Sequence, residues 1–270
     1  MAKRKRGFTK EKYEKWLKEN RGSGDGAKYI PWLTIQDVPS IGKCSRLKGI
    51  KSKRQHEFFS NNETNYFYIA DFSDNIIDIK EQFPLLPIEE TLIIAEELGI
   101  RHPTDPSSKE PTVITTDFLL KMRDGSTICR TIKQYNDLTK RQIEKFEIER
   151  RYWNKKGVSW KVVTERDIDK VMANNIELVY QFYDLQIIKG FEKFNKNQIK
   201  KLVLDFKRNI LGKYIIREKA FDFEEQMLLE SGCGISIFKH LIITKQIYID
   251  MLAPISVDKE ILILEGKNDA

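Results

Sequence analysis

The chain has 270 residues, a hydrophobic fraction of 40% and a formal net charge of +7 at pH 7. Because this length exceeds that of a typical single domain, we expect two compact units that each bury a core. The positive charge favours a polyanionic partner such as nucleic acid, although many soluble proteins are mildly basic. Cys44, Cys129 and Cys233 are too far apart for a CxxC zinc site, and their odd number argues against a disulfide framework.

Sequence features also bear on the compartment. Residues 1–8 carry charge without a following apolar core, which is not the pattern of a secretory signal. No apolar run in the sequence approaches the length of a membrane-spanning helix. The cysteine pattern indicates a reducing compartment. We therefore expect a cytoplasmic protein with no membrane association.

Basic residues concentrate in two segments near the start of the chain. The arm Lys3–Arg6 could contact phosphates, and a solvated terminus explains it equally well. Residues 43–54 hold many Lys and Arg and few apolar side chains, which suits a loop or ribbon beside a phosphate backbone. Lys51, Lys53 and Arg54 are therefore candidate DNA contacts, with a merely solvated loop as the alternative.

Periodicity predicts a mixed α/β unit in the first part of the chain. Helical spacing of apolar residues alternates there with segments of strand-like alternation. The predicted elements are helices at 9–20, 60–72, 88–98 and 140–155, strands at 76–83 and 160–164, and a β-hairpin over 115–133. From the second helix onward the order is helix, strand, helix, hairpin, helix and strand, which predicts a mixed sheet flanked by helices.

The β-hairpin carries the candidate chemistry. Its two strands are joined by the turn pair Asp124-Gly125, a strong hairpin signal. One carboxylate, Asp117, and one ammonium, Lys133, stand where apolar residues otherwise dominate. Strand alternation places Thr131 on the same face as Lys133. As a bare pattern this is weak, since many antiparallel sheets carry an Asp and a Lys for solubility alone.

Glu63, on the preceding predicted helix, completes a suspected site with Asp117 and Lys133. An acid on a helix, an acid on one strand and a lysine on the next is the arrangement of metal-dependent DNases of the PD-(D/E)xK type. A second interpretation of Glu63 is equally specific. Ser60 followed three residues later by Glu63 is a capping-box pattern, in which the carboxylate bonds back to the cap residue's amide. The local sequence favours this cap over a metal ligand.

Beyond Asp167 the pattern changes to helices. The predicted helices cover 171–183, 195–211, 221–229 and 235–241, and 246–249 alternates as a short strand. A helix, a Gly-containing turn, a second helix and a β-wing would form a winged-helix module, which binds DNA or protein. The second helix is poor in base-reading residues, which favours protein contact. We predict two domains, 1–167 and 168–270, the latter ending in a frayed or partner-held tail.

Four stretches resemble the TnsA family, the endonuclease subunits of heteromeric cut-and-paste DNA transposases: Tyr29–Thr34, Asp78–Pro87, Thr116–Leu119 and Glu144–Trp153. The resemblance implies a restriction-endonuclease-like PD-(D/E)xK domain followed by a winged-helix domain. It also implies a role in severing the 5′ ends of the transposon from donor DNA. The implied partners are transposon-end DNA, the transposase TnsB, which cuts and joins the 3′ ends, and the ATP-using regulator TnsC, contacted through the C-terminal domain.

The resemblance assigns roles to the suspected site and demotes the cap interpretation of Glu63. Glu63, Asp117 and Lys133 match the family's catalytic residues. The two carboxylates and the backbone carbonyl of Ile132 would hold Mg²⁺, for which Mn²⁺ would substitute. Lys133 would favour the deprotonated form of the attacking water. The position two before the lysine usually holds Glu, Asp or Gln, and because Thr131 is a poorer ligand, we hypothesise that one ion binds firmly and a second only with DNA.

Glu149 could support the site from the charged helix, with Arg150 and Arg151 as candidate DNA contacts. The alternative is a solvated helix face with local ion pairs, which is the usual meaning of Glu followed by arginines. Two other functions stay open. Thr131 is compatible with a DNA-binding adaptor of the transposase whose catalytic centre has weakened, and the same fold also serves stand-alone restriction or repair nucleases.

Overall fold

The computed structural model describes residues 7–38 and 43–266. The chain divides into two compact units, Met1–Ile168 and Asp169–Ala270, next to the boundary expected from the sequence. The basic arm Lys3–Arg6 and the last four residues of the tail lie outside the described residues. Within the described ranges no helix has the length and apolar character needed to cross a membrane.

The N-terminal unit combines helices with a four-stranded mixed sheet. Its described elements are α1 (Lys10–Lys18), β1 (Ser45–Lys48), β2 (Gln55–Phe58), α2 (Asn61–Phe72), β3 (Ile76–Pro84), α3 (Ile88–Glu97), β4 (Thr115–Met122), β5 (Thr127–Ile132), α4 (Lys140–Lys155) and β6 (Ser159–Val163). The sheet order is β3-β4-β5-β6, with β5 and β6 parallel and the other neighbours antiparallel. The predicted mixed α/β class is therefore confirmed.

The predicted hairpin is β4 and β5. Phe118 lies opposite Arg130 and Leu120 opposite Ile128, and Gly125 takes a left-handed φ of 87° in the turn. Glycine adopts this conformation without the steric penalty of a side chain. The ladder between the two strands ends at Phe118 and Arg130, so Asp117 before Phe118 and Thr131 after Arg130 do not pair with each other across the hairpin.

Helix α4 packs against the core of the N-terminal unit through one apolar stripe. Ile148, Tyr152 and Trp153 are buried in a cluster that also holds Leu85 and Ile94. Full burial of one such side chain stabilises a fold by about 1.5–3 kcal/mol, so several together fix the position of the helix firmly. The polar residues that α4 carries beside this stripe are therefore held in place.

The basic segment 43–54 is more ordered than the sequence predicts. Strands β1 and β2 pair antiparallel within and beyond it, with Arg46 opposite Glu57 and Leu47 opposite His56. Phe58 at the end of β2 is fully buried, and its ring lies 4.7 Å from that of Phe67. This packing anchors the β1–β2 pair to α2.

The C-terminal unit is a group of helices with a small antiparallel sheet of order β7-β9-β8. Its described elements are α5 (Lys170–Tyr180), α6 (Lys196–Ile210), β7 (Gly212–Ile215), α7 (Ile216–Met227), α8 (Cys233–Ile243), β8 (Ile247–Tyr248) and β9 (Glu260–Glu265). The sequence reasoning predicted the four helices but began α7 five residues late, at Phe221, and missed β7 and β9. These two strands are short, and they pair with each other across a long stretch of chain, which local sequence patterns do not reveal.

Candidate active site

A cavity of about 340 Å³ in the N-terminal unit is lined by all the residues of the suspected site. The structure thus brings together side chains from α2, β4, β5 and α4. The lining residues include Glu63, Asp117, Thr131, Ile132, Lys133, Gln142, Lys145 and Glu149. The cavity lining includes none of the predicted DNA contacts, which are Lys51, Lys53, Arg54, Arg150 and Arg151.

Asp117 is fixed by two hydrogen-bond donors. The backbone N–H of Ile132, beyond the last residue of β5 that pairs with β4, donates to Oδ2 over 2.7 Å. The Gln82 side-chain amide donates to Oδ1 over 3.1 Å. Burial outweighs these two hydrogen bonds and raises the pKa of Asp117 to about 6. The Asp117 carboxylate is therefore fixed in orientation and poorly solvated.

Glu63 forms a helix cap and also lines the cavity. Its carboxylate accepts the Phe59 backbone N–H over 3.1 Å and the Ser60 hydroxyl over 2.8 Å, while Ser60 Oγ accepts the Glu63 N–H. This is a variant of the predicted cap, in which the amide of Phe59 replaces that of Ser60. Burial and the nearby charge of Asp117 raise the pKa of Glu63 to about 8. The same carboxylate thus caps α2 and faces the cavity.

Glu149 is buried and not on a solvated helix face, so that alternative is wrong. Thr116 Oγ1 donates to Glu149 Oε1 over 2.6 Å, and Thr131 Oγ1 donates to the same oxygen. The indole N–H of Trp153 donates to Thr116 and that of Trp160 to Thr131, over 2.7 and 3.0 Å. Because each hydroxyl already accepts from an indole, its own proton is directed to Glu149. Burial raises the pKa of Glu149 to about 7.

This network changes the interpretation of Thr131. Its hydroxyl proton is donated to Glu149 and one lone pair accepts from Trp160, which leaves one lone pair for any further ligand. Thr131 therefore holds Glu149 in place, whereas a Glu, Asp or Gln at the same position would extend an oxygen further into the cavity.

Two lysines line the cavity. Lys133 follows β5 directly, donates its backbone N–H to Val163 over 3.0 Å, and has its ammonium 4.0 Å from Asp137. Lys145 is half-buried on α4, and burial together with the charges of Arg141 and Lys133 lowers its pKa. Among residues 7–38 and 43–266, no carboxylate lies within 4.0 Å of the Lys145 ammonium. The sequence reasoning missed Lys145, although its position one helical turn before Glu149 could have indicated it.

Arg54, a predicted DNA contact, is instead held in an ion pair with 8% of its side chain exposed, which argues against that prediction. Its guanidinium bonds to both carboxylate oxygens of Glu81 and, over 3.0 Å, to the carbonyl of Ile79. Lys51 donates its ammonium to the Ser73 carbonyl over 2.6 Å. Lys53 is exposed. Lys51 and Lys53 stay predictions as DNA contacts.

Arg150 and Arg151 make the local ion pairs that the sequence pattern allowed, but with a different glutamate. Both contact Glu147, over 2.6 and 3.1 Å. The two guanidinium groups keep 43% and 47% of their side-chain surface exposed. Such surface pairs contribute at most about 1 kcal/mol, and they would exchange readily for a phosphate. Their assignment as DNA contacts stays a prediction.

The donor set of the cavity fits Mg²⁺. Glu63 is buried and Asp117 half-buried, and carboxylates with raised pKa values are stabilised as anions by a nearby cation. Within the described part of the chain, no group of three or more His, Cys, Asp and Glu side chains is placed to hold a metal ion. Mg²⁺ is commonly bound through one or two carboxylates while it keeps several waters, whereas structural Zn²⁺ requires four protein ligands. Glu63, Asp117 and the Ile132 carbonyl could supply such a partial set.

Comparisons with known proteins find matches in both units of the chain. The family model for the TnsA-like endonuclease N terminal matches residues 73–165, and that for the TnsA endonuclease C terminal matches residues 167–251. The chain belongs to the TnsA endonuclease family. A curated relative, the Transposon Tn7 transposition protein TnsA of Escherichia coli, is 39% identical over 183 residues, which are 67% of this chain and 66% of the relative. The match therefore spans slightly less than two thirds of the relative's length.

The cavity lies partly within the range of the N-terminal TnsA match. Asp117, Lys133 and Glu149 all lie inside the N-terminal TnsA match, whereas Glu63 precedes it. The hairpin and α4 are thus the TnsA-like part of the cavity. The assignment of Glu63 depends on the geometry of the cavity and on its interaction with Asp117.

Proposed function

We propose that this TnsA-family protein is a Mg²⁺-dependent DNA endonuclease that hydrolyses the phosphodiester at the 5′ ends of a transposon during excision. The observation that carries the proposal is the single cavity in which Glu63, Asp117 and Lys133 converge from α2, β4 and the end of β5. Two acids and a lysine on these elements agree with a restriction-endonuclease-like PD-(D/E)xK domain.

The proposed chemistry assigns one task to each group. Glu63, Asp117 and the Ile132 carbonyl would hold Mg²⁺, which when bound neutralises the phosphate and lowers the pKa of water. Lys133 favours the anionic form of the attacking water and offsets negative charge that develops on the phosphate. Glu149 keeps β4, β5 and α4 in register through Thr116 and Thr131.

Lys145 is the proposed phosphate contact beside this centre. A half-buried ammonium without a carboxylate partner among the described residues is stabilised by an anion, and the substrate supplies one in every nucleotide. Lys145 would therefore bind a phosphate of the cleaved strand, and Arg150 and Arg151 would contact DNA further along α4.

The C-terminal unit would connect the nuclease to its partners. Its helices and three-stranded antiparallel sheet agree with a winged-helix-like module. We propose that the protein acts on transposon ends together with a TnsB-type transposase and that the C-terminal unit contacts a TnsC-type ATP-dependent regulator.

Mapping of nicks tests the proposal and separates it from the alternatives. The purified protein is incubated with the partner transposase, Mg²⁺ and a plasmid that carries transposon ends. Cleavage at the 5′ ends that disappears in Asp117→Ala and Lys133→Ala supports the proposal, and unchanged cleavage in both variants contradicts the site. Cleavage without the partner identifies a stand-alone nuclease. Ends that are bound but never cut identify an adaptor, the function that Thr131 leaves open.

A further inference from the structure

Gln82 combines an unusual backbone with a buried side chain. It is 3% exposed and lies inside β3, yet its φ is +48°. Non-glycine residues seldom adopt this left-handed conformation, because the Cβ atom crowds the backbone. The other described non-glycine residues with positive φ, Asn20, Lys53, Lys109, Leu228 and Lys245, all lie outside strands. A strained residue within a sheet requires contacts that hold it there.

Contacts from an N-terminal segment hold the backbone of Gln82. The Gln82 carbonyl accepts the Trp32 backbone N–H over 3.2 Å. The carbonyl of the preceding residue, Glu81, accepts the Tyr29 hydroxyl over 3.0 Å. Trp32 is itself 1% exposed, and so this attachment is rigid. Both carbonyls are thus satisfied from outside the sheet.

The side chain of Gln82 is aimed at Asp117. Glu81 pairs with Phe118 and Phe83 with Thr116, which places Gln82 opposite Asp117 between β3 and β4. Thr115 Oγ1 donates to the Gln82 side-chain carbonyl over 3.0 Å. This bond orients the amide, so that its NH₂ group donates to Asp117 Oδ1 over 3.1 Å. Since Ile132 donates to the other oxygen, each carboxylate oxygen has one fixed donor and keeps lone pairs for a metal.

We propose that Gln82 is a positioning residue that fixes the orientation of Asp117 for metal binding, and that its left-handed backbone is required to place the amide there. The inference rests on the proposed function, because it takes Asp117 as a metal ligand. Groups that orient a metal ligand typically change metal affinity by about 10- to 100-fold when they are removed. Gln82 acts through Asp117 and does not contact the substrate.

A matched pair of variants separates the amide from the backbone. Gln82→Ala removes the amide and keeps the strain, whereas Gln82→Gly removes both. We expect both variants of the full chain to bind Mn²⁺ about tenfold more weakly or worse in a titration followed by electron paramagnetic resonance. We expect Gln82→Gly to melt about 2–4 °C above Gln82→Ala, because only the latter retains a Cβ atom at positive φ. Thr115→Val, which leaves the amide unoriented, should lose less affinity.

Two controls make the experiment decisive. Gln246→Ala removes another buried glutamine, from the C-terminal unit, and should leave Mn²⁺ affinity unchanged. In the nicking assay, high Mn²⁺ should restore cleavage by the Gln82 variants, which a misfolded site would not allow.

Each failure has its own signature. Wild-type Mn²⁺ affinity in Gln82→Ala and Gln82→Gly, with affinity lost in Asp117→Ala, overturns this inference alone. Unchanged affinity in Asp117→Ala overturns the proposed metal site and this inference with it. Equal melting temperatures of the Ala and Gly variants overturn the role of the strained backbone.

Discussion

Arg54 offers a direct test of whether a basic residue near the N-terminus binds DNA or stabilises the fold. Only 8% of its side chain and 1% of that of Glu81 are exposed. His56 Nδ1 also contacts Glu81 Oε2 over 2.7 Å. Burial pushes the pKa of Glu81 upward, but the hydrogen bonds from Arg54 and His56 lower it to about 2. The carboxylate is therefore ionised at neutral pH and depends on these partners.

Arg54→Met removes the main partner and leaves that carboxylate buried. Breaking a buried ion pair in this way costs about 3–5 kcal/mol. For a domain of this size, the loss corresponds to a fall in melting temperature of roughly 10 °C. Because the folded-state pKa of Glu81 is depressed, the stabilisation is present above the ordinary value of 4.5 and disappears as pH falls towards 2. The difference between wild type and variant should shrink over the same pH range.

Calorimetry and DNA-binding measurements together decide whether Arg54 stabilises the fold or contacts DNA. Lys53→Met is the matched control for stability, since Lys53 is adjacent and exposed, and it should keep the wild-type melting temperature. We expect Arg54→Met to lose stability at pH 7 and to keep the wild-type dependence of DNA affinity on salt. If Arg54→Met instead keeps its melting temperature while the log-log salt slope falls by about 0.9, Arg54 contacts a phosphate and our reasoning is wrong.

Three further predictions follow from the cavity. Asp117→Asn and Lys133→Met should each lower the nicking rate by at least about 100-fold in protein that still melts cooperatively, and nearly wild-type rates would contradict their roles. Lys145→Met should reduce the salt slope of DNA binding by about 0.9, whereas Lys155→Met, at the far end of α4, should not; identical slopes would rule out the proposed phosphate contact. Glu63 has a raised pKa, so its contribution to metal-free stability is present below 4.5 and is lost as pH rises through about 8. Thermal melts should therefore show metal-free wild type losing stability relative to Glu63→Gln across that range and Mg²⁺ restoring it; parallel curves would refute this.

Local pattern was sufficient where the determinants of a structure lie close together in the chain. Helix α4 was predicted with the observed ends, because Thr139 caps its first turn and Gly157 with a φ of 68° follows its last. The turn at Gly125 likewise specified the hairpin. Asp117 and Lys133 were nominated because they stand next to apolar residues of the two strands. The family was recognised from four short stretches, each of which is contiguous in the sequence.

Distant contacts decided what the local pattern left open. The basic segment 43–54 looked like a DNA-binding ribbon, but Arg54 pairs with a glutamate 27 positions later in the chain. Glu149 looked solvated, since only the tertiary structure shows that Thr116 and Thr131 donate to it. No local pattern indicated the contact of Gln82 with Asp117, because the two residues are on neighbouring strands.

The sequence by itself determined the mixed α/β class, the hairpin and the family, because periodicity and turn residues are local properties and the family stretches are contiguous in the chain. It also nominated Asp117 and Lys133 from the hairpin, and Glu63 through the family resemblance. Only the tertiary structure decided which charged groups are buried, that Glu63 caps its helix while facing the cavity, and that Asp117 is held from two sides. Burial and hydrogen bonding depend on segments that meet in space, and the energies of charged groups follow from that environment.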